Sequence, residues 1–121
     1  MATRSAVTVS KCLLYNTAYD ITADACDLAN GHEIDAKEMA HDRLLVRFLG
    51  ATTKYTATIL AGDFSDASLG NLAFDVDTAE TKVVCLEASR FLQSNGKINI
   101  DLASEGAGAV TGATIEAYLL P

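Results

Sequence analysis

The sequence predicts an all-β chain folded as a sandwich or barrel, and three observations carry that prediction. Apolar and polar residues alternate with period two through most of the chain beyond Arg43. Turn-forming residues punctuate these segments roughly every 8–12 positions. No long helical stripe separates them, so the strand–helix–strand rhythm of a parallel sheet is missing. About eight strands are expected on that spacing.

The first element is "AVTV" at Ala6–Val9, followed by a short strand around Ile21 or Ile34. "IDAKEMAHDRLL" then places Asp35 as an N-cap with Glu38 three residues on, a capping-box pattern. Its apolar residues Ile34, Met39 and Leu44 hold no clean stripe, so one or two helical turns are the most it predicts. In "RLLVRFL", Leu44, Val46 and Phe48 share a face opposite Arg43 and Arg47. In "KYTATIL", Tyr55, Ala57 and Ile59 face away from Lys54, Thr56 and Thr58. The polar link "GATT" between the two makes residues 43–60 read as a hairpin. "NLAFDV" sets Leu72, Phe74 and Val76 against Ala73 and Asp75, and "TKVVCLE" follows "DTAE" as a second hairpin.

"TKVVCLE" differs from its neighbours: Val83 and Cys85 fall on one face, Val84 and Leu86 on the other. A strand apolar on both faces is commonly covered on both, so either a subunit interface or a crossing loop is expected over it. In "FLQSNGKINIDL", Asn95-Gly96 is a strong hairpin signal, and Ile98, Ile100 and Leu102 alternate with Lys97, Asn99 and Asp101. "ASEGAGAVTG" (Ala103–Gly112) reads as a mobile loop tip. "GATIEAYLL" completes the set with Ala113, Ile115, Ala117 and Leu119 inward. Proline occurs only at Pro121, so the turns rest on Gly, Asn and Asp.

At 121 residues, half of them hydrophobic, residues 1–121 are expected to form a single domain. Nine Lys and Arg against sixteen Asp and Glu leave a net charge of −7. Nucleic-acid binding needs clustered Lys and Arg to meet phosphates, and Arg43 and Arg47 form no cluster, so no nucleic-acid partner is expected. No apolar run approaches the roughly 20 residues that cross a bilayer, so no membrane role is expected. "MATRSAVTVSK" lacks the apolar core of a secretory signal, which points to synthesis in a cytoplasm. Cys12, Cys26 and Cys85 are odd in number with no C-x-x-C spacing, so they read as small buried hydrophobes, Cys85 within the apolar run "VVCL".

Several residue groups invite a chemical reading. His32, Glu33, Asp35, His41 and Asp42 lie close together, and imidazole and carboxylate, with Cys26, are ligand types for zinc or manganese. Their spacing matches no helical histidine pair, so solvated loop residues are the simpler account. Carboxylates in "GDFSDASLGN" and "DVD" miss the ligand positions of a calcium-binding EF-hand loop. There is no G-x-S-x-G elbow. Cys85 could form a dyad with His32 or His41 only if folding joined them, and its apolar flanks would raise the thiol pKa. "GAGAVTG" lacks the lysine of a phosphate-cradling loop. The expectation is therefore no enzyme, with no catalytic, cofactor-binding or metal-binding residue and no cofactor.

"RLLVRFLGATTKYTATILAGDF", with "LAFDV", "ETKVVCLEASRF", "QSNGKINIDL" and "ATIEAYLLP" in order, resembles bacteriophage head decoration, or cement, proteins built on a single jelly roll. The matching features are the leading strand pair, the "AGD" exit at Ala61–Asp63, the step Glu87–Phe91, the Asn-Gly turn and the final strand. They cover about Arg43 to Pro121. The resemblance implies an antiparallel jelly-roll-like sandwich of about eight strands. It implies a homotrimer on the outer surface of an icosahedral phage capsid, with the major capsid protein as partner and head stabilisation as function. The location it implies is the virion, after synthesis in the host cytoplasm. Residues 1–11 read as an N-terminal arm free to order on the capsid, so deleting Ala2–Ser5 should weaken binding without unfolding the domain. The competing reading on the same fold is another phage-surface or glycan-binding module, a head fibre base or tail accessory, with Tyr15, Tyr19 and Tyr118 as the scarce aromatic resource.

Overall fold

The computed structural model describes residues 3–36, 43–105 and 110–121. Its strands are β1 (Ser5–Ala6), β2 (Val9–Lys11), β3 (Asp24–Ala25), β4 (His32–Asp35), β5 (Leu44–Leu49), β6 (Tyr55–Ile59), β7 (Leu72–Val76), β8 (Thr81–Leu86), β9 (Lys97–Ser104) and β10 (Thr114–Leu119). One sheet runs β1-β4-β9-β6-β7, and the other runs β2-β10-β5-β8 with β3 also on β10. The inner faces enclose one buried cluster, with Ile34, Tyr55, Ile59, Ile98 and Ile100 from the first sheet and Val46, Phe48 and Ile115 from the second. Phe48 of β5 meets Phe74 of β7 edge to face across the gap, ring centroids 5.2 Å apart. This is an all-β sandwich.

The alternating residues of Leu44–Phe48, Tyr55–Ile59, Ile98–Leu102 and Ala113–Leu119 all point into that core. Both sheets are mixed rather than purely antiparallel, because β1 pairs β4 and β2 pairs β10 in parallel. The single strand expected at Ala6–Val9 is broken in two. Val7 drops its side chain into the core, and the Thr8 N–H turns to the Asp24 carboxylate at 2.7 Å. The chain thereby steps from the first sheet to the second.

Two expected hairpins are corners instead. β5 and β6 lie in different sheets, as do β7 and β8. The Gly50 N–H donates to Glu80 O at 2.6 Å, so the two crossing links lie against each other. A Cβ at Gly50 would sit 2.3 Å from Asp77 O, which is why that corner requires glycine. Tyr55 sends its hydroxyl back to Leu49 O at 3.0 Å, closing the corner across the sheets. Period two identifies an inner face, yet it is blind to which sheet a strand joins.

The antiparallel pairings instead nest. β6 pairs β7, β5 pairs β8, β4 pairs β9 and β3 pairs β10. Successive pairs fall in alternate sheets, so the chain from Asp24 onward is one long two-stranded ribbon wound around the core. Its closed end is the segment 60–71, which contains the 3-10 turn Ser65–Leu69. Asn95-Gly96 does form a tight turn: the Gly96 N–H donates to Gln93 O at 2.9 Å and Gly96 adopts φ 84°. The strand it feeds, β9, takes β4 and β6 as partners and retains only a Leu92–Ile98 bridge across the turn. The helical turn expected after Asp35 and the tip of the Ala103–Gly112 loop fall on residues 37–42 and 106–109, outside the described residues.

Candidate functional site

A densely connected polar group gathers where β1, β4 and the turn at 27–31 meet. Strand alternation in β4 sends His32 inward, where it is fully buried, and leaves Glu33 on the opposite face. The Asp27 backbone N–H donates to His32 Nε2 at 2.9 Å. His32 Nδ1 lies 3.2 Å from Ser5 O, so the neutral tautomer with its proton on Nδ1 satisfies both contacts. Burial pushes the imidazole pKa below its usual value. Ser5 donates its hydroxyl to the Asp27 carboxylate, which also accepts the Asn30 backbone and side-chain N–H groups. The Ser5 hydroxyl and those Asn30 donors hold the Asp27 carboxyl below the usual carboxylate range.

Serine, histidine and aspartate thus meet, but their wiring is not that of a nucleophile. The hydroxyl proton goes to Asp27 instead of the imidazole, and the only imidazole acceptor atom is taken by a backbone N–H. Arg4 seals the group by donating to Ile100 O at 3.0 Å and to Asp101 Oδ1 at 2.7 Å. The arrangement ties residues 4 and 5 to both flanks of β4.

The residues singled out in the sequence are dispersed. Glu33 pairs with Lys97 across β4 and β9, and Asp35 ends β4 exposed. His41 and Asp42 lie outside the described residues. Cys26 is half-buried among core residues, and burial pushes its thiol up to about 11, leaving it protonated at neutral pH. Among the described residues no group of three or more metal-ligating side chains is placed to hold an ion.

Cys85 is a correction. It is exposed on β8 rather than buried, because β8 turns Val84 and Leu86 inward and Val83 and Cys85 outward. It cannot meet His32, which is buried in the other sheet. Asp63 accepts the Ser94 N–H and Asp66 accepts the Ser89 hydroxyl, both at 2.7 Å, so the loop carboxylates pin segment 60–71 to the chain beyond β8. Lys54 lies 3.4 Å from Asp75 and 3.2 Å from Glu105, an exposed charge cluster at the open end of β6.

Two surface features escaped sequence reasoning. The segment after β2 exposes Leu13, Leu14, Tyr15 and Ile21, with Tyr15 at 79%. It is anchored by Cys12 N–H to Leu119 O at 2.8 Å and by Leu14 N–H to the Tyr19 hydroxyl at 3.0 Å. The run "CLLY" was the available signal: three large apolar side chains in succession, with no alternation to hide any of them. The second is an open cleft of about 450 Å³ where the exposed Phe64 ring stands beside Leu92, Gln93, Ser94, Asn95 and Gly96. Comparison with family models, curated proteins and solved structures finds no match to the chain.

Proposed function

We propose that this chain is a non-enzymatic structural protein that decorates the outer surface of an icosahedral phage head, binding the major capsid protein and stabilising the shell. The observation that carries the reading is the nested ribbon, β3·β10 outside β4·β9, β5·β8 and β6·β7, wound through alternate sheets. Such winding is what a jelly roll requires, and it supports the fold that the sequence resemblance implies. The neutral, fully engaged His32 also favours a scaffold over a hydrolase.

Residues 3–11 supply β1 and β2, so the capsid-facing surface in this reading moves to the neighbouring loop. Leu13, Leu14 and Tyr15 present contiguous apolar area on an anchored segment, as an interaction site does. Copies joined to one another would bind the shell with an effective-concentration advantage. The test is co-sedimentation with heads assembled without this protein. The wild-type chain should pellet with the heads, and a Leu14→Ser/Tyr15→Ser double variant should stay in the supernatant with an unchanged melting curve. Wild-type protein that never pellets would end the reading.

A glycan-binding module is the second reading, and the Phe64 cleft favours it. An exposed ring in a cleft lined by Gln93, Ser94 and Asn95 offers stacking beside uncharged polar residues. A glycan-array signal abolished by Phe64→Ala would promote it over decoration.

A further inference from the structure

The second sheet ends at β8, and among the described residues no strand lies against its outer edge. The hydrogen bond from Gly50 N–H to Glu80 O sets the alternation of the ladder. Lys82, Val84 and Leu86 turn their backbone groups toward β5, whereas Thr81, Val83 and Cys85 turn theirs outward. The same three residues have exposed side chains, Val83 at 52%. Exposed edges are ordinarily guarded by charge, by proline or by a bulge. The first sheet ends at β7, which carries the exposed Asp75 with Asp77 just beyond it, close to Lys54. β8 carries a single charge, Lys82, which stands on the Val84 face and pairs with Glu80 at 3.5 Å, so the outward-facing Thr81, Val83 and Cys85 are uncharged.

We infer that β8 is a pairing edge whose occupant is β8 of a second copy, joined antiparallel about a two-fold axis at Val84. A two-fold perpendicular to the sheet keeps outward residues outward, so Val83 of one copy faces Cys85 of the other. Both residues then exchange the backbone hydrogen bonds that β5 leaves free. Lys82 falls opposite Leu86, and no like charges oppose each other. A second copy fits because Val83 and Cys85, the residues that would exchange hydrogen bonds, are uncharged and Lys82 meets no like charge. On a chain of net charge −7, self-repulsion is weakest along such a strip. Fusing the two sheets makes one continuous sheet across both molecules.

Light scattering on a sizing column tests this with three proteins. The wild-type chain should elute at twice 12.8 kDa. Val83→Lys places a charge on the edge without touching the core, and it should halve the mass while the variant still melts cooperatively, at a temperature that no longer depends on protein concentration. Val83→Pro should do the same, since the N–H it deletes faces outward and not toward β5. If the proline variant fails to fold, the lysine variant decides alone. A wild-type monomer, a mass of three times 12.8 kDa matching the homotrimer that the resemblance implies, or a dimer that survives Val83→Lys would each overturn the pairing. Head co-sedimentation reads the decoration role separately, so either proposal can fail without the other.

Discussion

Protonating His32 would leave the Asp27 N–H without an acceptor, because Nε2 would then carry its own proton. Burial already depresses the imidazole pKa in the folded chain. The unfolded chain therefore binds the proton more readily, and the folded state loses stability as pH falls below about 6.5, the value for a free imidazole. The contribution is complete above that pH. The melting temperature should fall on acidification from about pH 7 to about pH 5, well before Asp27 titrates. His32→Gln should melt lower at neutral pH but show a shallower decline. An undiminished decline in the variant would place the linkage on another group. The sequence marked His32 as notable for a ligand chemistry it does not serve, because composition cannot tell an inward strand position from a loop.

Strand corners carry this chain between its two sheets, and they are where sequence reasoning failed. Inner faces were legible at Leu44–Phe48, Tyr55–Ile59, Ile98–Leu102 and Ala113–Leu119, since a buried face imposes period two whatever its partner. Partners were not legible, because "GATT" and "DTAE" are as short and polar as hairpin loops while carrying the chain between sheets. β1 and β3, at two residues each, are too short to show any period. Gly50→Ala should lower stability by about 1–3 kcal/mol, the scale of overpacking, because its Cβ meets the Asp77 carbonyl and backbone cannot yield as a side chain would. A urea midpoint measures it, and an unshifted midpoint would mean the corner has slack. The two faces of β8 separate by the same method. Val84→Asp buries a carboxylate beside the core and should unfold the chain, whereas Val83→Asp should leave the monomer's midpoint nearly unchanged.

Across the whole molecule the ribbon ranks its own contacts by distance along the chain. β6 and β7 join Ile59 to Leu72, whereas β3 and β10 join Ala25 to Thr114. Closing the longer loop carries more entropy and is slower, so the inner pair should form first. Ile59→Val is expected to slow refolding, whereas Ile115→Val should mainly hasten unfolding, both read from stopped-flow chevron arms. Equal effects on the refolding arm would contradict that order. β10 takes β2, β3 and β5 as partners. A nascent chain stalled before Thr114 therefore holds one flank of β5 open and has nothing to receive β2 or β3. Until Thr114–Leu119 has left the ribosome the second sheet cannot close, and the flank of β5 that carries Val46 and Phe48 lacks its β10 cover.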